Sequence, residues 1–169
     1  MNITLIRKDT DGAKEKWSVC KLEKWLEKLS KENKDGYISQ LRHVLPRLEG
    51  SDCHFVNAGR IPRGYAAVTY QRTSNGEPGC NSYNGIVQLE VNRLSGWAEV
   101  EHIKEQASLL PQTLVAFAGS SGKSVKIWVL FSLPDGTLPQ TEEQALLFHA
   151  HAYRLAVRDI GWTTRTKPC

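Results

Sequence analysis

No apolar run in this sequence of 169 residues approaches the roughly 20 residues that a helix needs to cross a bilayer. The first dozen residues turn charged before a signal-peptide core could form. The chain therefore reads as a cytoplasmic protein with no membrane partner. The four cysteines, Cys20, Cys53, Cys80 and Cys169, include no CxxC pair, and no histidine stands at finger spacing behind one. That excludes the common structural zinc sites and, without an export signal, reads as free thiols in a reducing compartment. Charge of one sign is scarce as well. Lys and Arg total 22 against 18 Asp and Glu, a net +4 that neither announces a nucleic-acid binder nor forbids one. There is no internal repeat and no nucleophile-elbow pattern. What is present is an ordinary globular composition, 40% hydrophobic and 24% charged, of a length that suits one domain.

Both ends of the chain are basic, and the middle is the least charged part and the expected core. Leu22, Trp25, Leu26 and Leu29 recur at helical spacing and predict a helix over 18–31, with lysines on its solvated face. Ile38, Leu41, Val44, Leu45 and Leu48 form a second stripe, broken near its end by Pro46. Residues 1–50 are thus expected to be a helical N-terminal segment packed on an α/β domain spanning 51–158, with 159–169 an irregular tail. Within that domain, 53–56 is a weak strand, 65–71 a better one, and the Gly, Pro, Asn and Ser of 73–83 predict a long loop. Residues 86–91 are a strong strand, 97–110 a helix closed by Pro111, and 114–118 with 125–131 a hairpin about the turn at 119–122. Thr141 starts a last helix to about residue 157, with Glu142 and Glu143 in its first turn. A strand-helix-strand-strand-helix order predicts an α+β, two-layer fold: a mixed, mainly antiparallel sheet with helices on one face.

Alternation gives the two best strands opposite faces. Val87, Leu89 and Val91 point one way, and Gln88, Glu90 and Asn92 the other. Val125, Ile127 and Val129 likewise oppose Ser124, Lys126 and Trp128. The apolar sets must meet the helices. The remaining face carries an acid, an ammonium, amides, a hydroxyl and an indole, which a nucleotide or polyanion groove can use; the plainer alternative is a solvated face of an antiparallel sheet. The turn Gly119-Ser120-Ser121-Gly122-Lys123-Ser124 is no P-loop. Walker A spacing requires glycine where Phe117 stands, and a P-loop opens a helix, whereas the residues after this turn read as strand. Its backbone N–H groups and Lys123 remain candidates for phosphate binding. His149 and His151 stand two apart on the last helix and do not chelate one metal; His149 shares the stripe of Ala145 and Ala152 and reads as a core or interface histidine.

Five segments in order carry a resemblance: Asn84-Gly85-Ile86-Val87-Gln88-Leu89-Glu90-Val91-Asn92, Leu109-Leu110-Pro111-Gln112-Thr113, the stretch from Phe117 to Val129, Leu133-Pro134-Asp135-Gly136, and Phe148-His149-Ala150-His151-Ala152-Tyr153-Arg154. Together they resemble the primase-like N-terminal domain of virulence-associated-E-type and primase–helicase proteins of bacterial mobile elements, over about residues 80–158. The resemblance implies a divergent archaeo-eukaryotic primase–polymerase fold with an RRM-like βαββ unit. It also implies a first motif of two acids, one apart on a strand, binding divalent metal, and a second, Ser-x-His, holding nucleotide phosphates. The first falls on Glu90 and Asn92 and the second on Ser124 and Lys126. It implies catalytic roles for Glu90, Asn92 and Lys126, with Glu90 as ligand to Mg²⁺ or Mn²⁺. Phosphate would lie on Ser120, Ser121, Lys123, Ser124 and Lys126, and a base would stack on Trp128. Two departures stand out. Asn92 occupies the place of the second carboxylate, which weakens the field that attracts Mg²⁺, and Lys126 that of histidine, where it still pairs with phosphate as a point charge. No third acidic motif and no helicase-like region follow, so the chain reads as a truncated or stand-alone version, with a separate or downstream helicase as partner.

Three functions compete. The first in rank is a non-catalytic module binding nucleotide or single-stranded nucleic acid. The second is an active primase, a nucleotidyltransferase. The third is a structural module that docks protein.

Overall fold

The computed structural model describes residues 1–8, 15–31, 36–44 and 61–160. They fall into two compact units, Met1–Tyr65 and Ala66–Cys169.

In the first unit, β1 (Asn2–Lys8) pairs antiparallel with β2 (Glu15–Lys21) on one side and with β3 (Arg63–Tyr65) on the other. Flanked on both edges, β1 buries four consecutive residues, Ile3 to Ile6, as a central strand covered on both faces does. Helices α1 (Leu22–Ser30) and α2 (Tyr37–Val44) follow. Leu22, Trp25 and Leu41 are their buried side chains. The expectation of a purely helical N-terminal segment is corrected here. The helix predicted from residue 18 starts at Leu22, and the residues before it are strand. The helical spacing itself begins at Leu22, and the residues before it are held by the ladder to β1, in which all seven residues of β2 have a partner, from Lys21 opposite Asn2 to Glu15 opposite Lys8. The backbone N–H of Leu22 donates to the carbonyl of Met1 at 3.0 Å, so pairing runs up to the first residue of the helix. The predicted strand at 53–56 and the end of the second helical stripe lie outside the described residues.

The second unit opens with a hairpin of β4 (Val68–Arg72) and β5 (Pro78–Tyr83). Two expectations change at this point. The strand predicted over 65–71 is divided at Ala66–Ala67 between two sheets, and the predicted long loop over 73–83 contains β5. Ser74-Asn75-Gly76 makes the turn. Gly76 has a φ of 79°, its N–H donates to the carbonyl of Thr73 at 2.9 Å, and the N–H of Thr73 donates to the carbonyl of Glu77 at 2.8 Å. The Asn-Gly pair is the hairpin signal. Pro78, Gly79 and Asn81 have poor strand propensity, which hides the strand that the turn creates.

The rest is a βαββα unit: β6 (Ile86–Asn92), α3 (Trp97–Ser108), β7 (Thr113–Ala118), β8 (Ser124–Leu130) and α4 (Glu142–Ile160). Sheet order is β6-β8-β7, with β8 antiparallel to both neighbours. This is the split arrangement expected of a βαββ unit, and the fold is α+β. The single mixed sheet of the sequence reading is replaced, among the described residues, by three sheets whose pairings are all antiparallel. The last helix runs to Ile160, beyond the expected end, and residues 161–169 lie outside the described residues.

Helix ends follow their sequence. The Glu99 carboxylate accepts from the backbone N–H and the hydroxyl of Ser95, at 2.7 and 2.8 Å, and so secures the first turn of α3. Thr141 Oγ1 accepts from the N–H of Gln144 at 3.3 Å at the head of α4. The core lies between the sheet and these helices. Val87, Leu89 and Val91 of β6 and Val125, Ile127 and Val129 of β8 pack with Val100, Ile103 and Ala107 of α3 and Ala152, Ala156 and Ile160 of α4. Each fully buried Val or Leu contributes about 1.5–3 kcal/mol relative to exposure. On the flank of α4, Tyr83 Oη bonds to His149 Nδ1 at 3.1 Å, and the Tyr83 ring meets Phe148 edge-on. Burial pushes the Tyr83 phenol up to about 12 and lowers the His149 imidazole below its usual value.

Two stability predictions follow from these contacts. Gly85 has a φ of 70°, and a Cβ there would sit 2.3 Å from the Phe131 carbonyl oxygen and 2.7 Å from Leu138 Cδ2. Gly85→Ala should cost about 1–3 kcal/mol in urea unfolding. Gly136→Ala, at a φ of 81° but with open space around it, should cost less. The lowered His149 pKa means that the unfolded chain takes up this proton first as pH falls. Its contribution is complete above about pH 6.5 and declines as pH drops through the folded value. Thermal unfolding of His149→Gln should lose less stability between pH 7 and pH 5 than that of the parent, and equal losses would refute the assignment.

Candidate functional site

The register of β6 against β8 sets opposite pairs Gln88↔Trp128, Glu90↔Lys126 and Asn92↔Ser124. On the far side of β8, Lys126 faces Phe117 and Trp128 faces Val115 of β7. The face turned away from α3 and α4 therefore carries the residues that alternation selects. Glu90 Oε2 lies 3.0 Å from Lys126 Nζ, with side chains 23% and 38% exposed. This is a cross-strand ion pair at the centre of the sheet and open to water. Asn92 is half-buried beside it.

The two ends of this face differ. Near the start of β6 it is covered. The Asn84 side-chain amide donates to the Ala66 carbonyl at 2.8 Å, the N–H of Asn84 donates to the Ala67 carbonyl at 2.8 Å, and the N–H of Ala66 donates to Gln88 Oε1 at 3.4 Å. The Ala66–Ala67 backbone is thus held against the Gln88 end of the strand. Trp128 is 1% exposed, and the Phe117 ring stands edge-on to it at 5.8 Å and 82°. The expectation that Trp128 offers its indole for base stacking is corrected: the ring stands on this face but is sealed from solvent. Ser124 is 5% exposed, and a Cβ on Gly119 would come 2.0 Å from its Oγ. Its hydroxyl is roofed by the turn and does not face outward as predicted.

The far end is open. The turn between β7 and β8 is a hairpin connection, as its context indicated. The N–H of Gly119 donates to the Ser124 carbonyl at 2.8 Å, and that of Gly122, with a φ of 69°, to the Gly119 carbonyl at 3.1 Å. The N–H of Lys123 donates to Ser121 Oγ at 3.2 Å. Ser120 and Ser121 are half-buried and Lys123 is exposed. The N–H of Leu94 donates to the Lys123 carbonyl at 3.0 Å and ties this turn to the end of β6. There Arg93 stands exposed with a φ of 62°, a conformation that side chains other than glycine seldom adopt. Arg93 has no signature in the sequence, because nothing about an arginine announces a left-handed backbone. Phe117 and Val115 were equally hidden. The register shift between Thr113 and Val115 changes which residues of β7 share the open face.

Glu90 is the one carboxylate among Gln88, Glu90, Asn92, Ser124, Lys126 and Trp128, and Lys126 neutralises it. Among the described residues no group of three or more His, Cys, Asp or Glu could hold a metal ion. The one carboxylate of this face is held by an ammonium, which weakens its pull on a divalent cation. Among the described residues no helix is long and apolar enough to cross a membrane.

The family model for the BT4734-like, N-terminal domain matches residues 57–164, which takes in all the described residues of the second unit. No curated protein and no solved structure matches the chain.

A double-mutant cycle measures the ion pair. Glu90→Ala, Lys126→Ala and the double variant, unfolded in urea, should give a coupling of about 0.5–1 kcal/mol that shrinks in high salt. No coupling at low salt would mean that the pair does not form in solution.

Proposed function

The chain belongs to the BT4734-like N-terminal domain family, and from that premise we propose that its second unit binds nucleotide or single-stranded nucleic acid on the Glu90–Lys126 face. In this reading it is a divergent primase–polymerase-like domain of a mobile-element DNA replication protein. It works in the cytoplasm, beside a helicase encoded separately or downstream. The supporting observation is the placement of Lys126: a partly exposed ammonium at the centre of a sheet face, held by one carboxylate, with the Ser120–Ser121–Lys123 turn at the end of the same strand. An ammonium so placed takes a phosphate as a point charge. The resemblance of residues 80–158 to primase-like domains supplies the replication context.

Binding is favoured over catalysis because the carboxylate that would draw a metal is already neutralised and Asn92 supplies no second one. The two readings give opposite signs for one substitution. In a binding module, Glu90→Ala frees Lys126 and strengthens phosphate binding several-fold, while Lys126→Ala weakens it and lowers the salt slope by about 0.7. In an active nucleotidyltransferase, Glu90→Ala abolishes template-directed synthesis in Mg²⁺ or Mn²⁺. Fluorescence anisotropy with labelled single-stranded DNA, and synthesis assays with each metal, separate them. Failure of the parent chain to bind nucleotide or single-stranded DNA at low salt would overturn the proposal and leave the structural, protein-docking reading.

A further inference from the structure

We propose that the phosphates and a base of a single strand are gripped at the rim where β6 ends, by Arg93, Lys123 and Trp97, none of them on the sheet face itself. This inference rests on the binding reading above and names the part of the molecule that receives the strand.

Three observations converge on this rim. The hydrogen bond from the Leu94 N–H to the Lys123 carbonyl joins the chain leaving β6 to the β7–β8 turn, so the residues flanking that bond belong to one surface. Arg93 and Lys123 are both exposed, and neither side chain makes an ion pair or hydrogen bond among the described residues. Elsewhere in this unit Lys104, Lys126 and Arg158 are matched to Glu101, Glu90 and Asp159, and among the described residues Arg154 on α4 is a third exposed cation without an ion pair. Glu90, the nearest acid along the chain, is held by Lys126, and Glu99 accepts from Ser95. The rim therefore holds two cations that no acid among the described residues pairs. Arg93 keeps its left-handed backbone despite the steric cost, and such costs persist where surrounding structure holds them and often mark functional positions.

The third observation is Trp97. It opens α3 four residues after Arg93 and is 49% exposed, whereas Trp128 is sealed. An exposed indole four residues along the chain from one of two exposed cations is a combination that single-stranded nucleic acid uses: guanidinium and ammonium take successive phosphates while a base lies on the ring. Duplex DNA keeps its bases stacked and offers the indole nothing. The ligand class is thus single-stranded nucleic acid, and the order in which the sheet face and the rim are met is along the strand, from Lys126 outward to Arg93 and Lys123.

The test uses the full chain and a fluorescein-labelled oligothymidylate of about 16 nucleotides, long enough for one site, with anisotropy read across a salt series. Arg93→Ala with Lys123→Ala should flatten the slope of log affinity against log salt by about 1.4, the loss of two single-strand phosphate contacts. Trp97→Ala should weaken binding about tenfold with the slope unchanged, and Trp97→Phe should restore most of it. Circular dichroism of each variant confirms that the fold is retained. A parent chain that binds the oligonucleotide while all three variants bind equally well would overturn the rim alone. Duplex of the same length bound as tightly as the single strand would overturn it too. A parent chain that fails to bind would end both this inference and the reading beneath it.

Discussion

The β6–β8 ladder is the constraint on which everything in the second unit depends. Its register makes one set of alternating residues, Val87, Leu89, Val91, Val125, Ile127 and Val129, the floor of the core under α3 and α4. By the same period of two it sends Glu90 and Lys126 to the other face as direct neighbours. A slip of one residue would turn a strand over, drive a charge under the helices and expose three aliphatic side chains. Burial of those six residues is far more favourable than any alternative, so the polar pair is positioned by hydrophobic packing that it takes no part in. The site is precise because the core is.

That division explains what could be read from residues alone. The strands and helices from Ile86 onward follow from strong periodicity, and the open face follows from alternation, because both are dictated by burial of local patterns. The N-terminal strand β2 and the strand β5 were hidden for a shared reason: their partners supply the structure. Residues 18–21 look like the lead-in to the stripe that begins at Leu22 until β1 is laid beside them, and residues 78–83 have a loop composition until the Asn75–Gly76 turn returns them to β4. Solvent access was the least legible property. Alternation put Trp128 and Ser124 on the correct face, but it carries no information about the Phe117 ring, the Gly119 roof or what else covers that face. Both side chains are on the polar side and yet sealed. The rim was illegible too, since it is assembled by one backbone hydrogen bond between segments far apart in sequence.

Chemically, the face gives a clear choice. A replication-type metal centre needs carboxylates gathered closely enough that only a divalent cation relieves their repulsion. Here one carboxylate meets one ammonium, and the repulsion is already gone. In the proposed reading a phosphate is drawn by positive charge, paired at Lys126 and, among the described residues, without an ion pair at Arg93 and Lys123. In the same reading Glu90 competes with a bound phosphate for the Lys126 ammonium that it already holds at 3.0 Å.

The most direct measurement is a ¹⁵N-¹H NMR titration of the full chain with single-stranded oligonucleotide, without added metal. If the strand lies on this face and rim, the amide signals of Glu90, Arg93, Lys123 and Lys126 move together and saturate, while those of Val100, Ile103 and Ala156, on the helices behind the sheet, stay in place. Shifts concentrated on the helices, or a spectrum indifferent to the oligonucleotide, would contradict that placement.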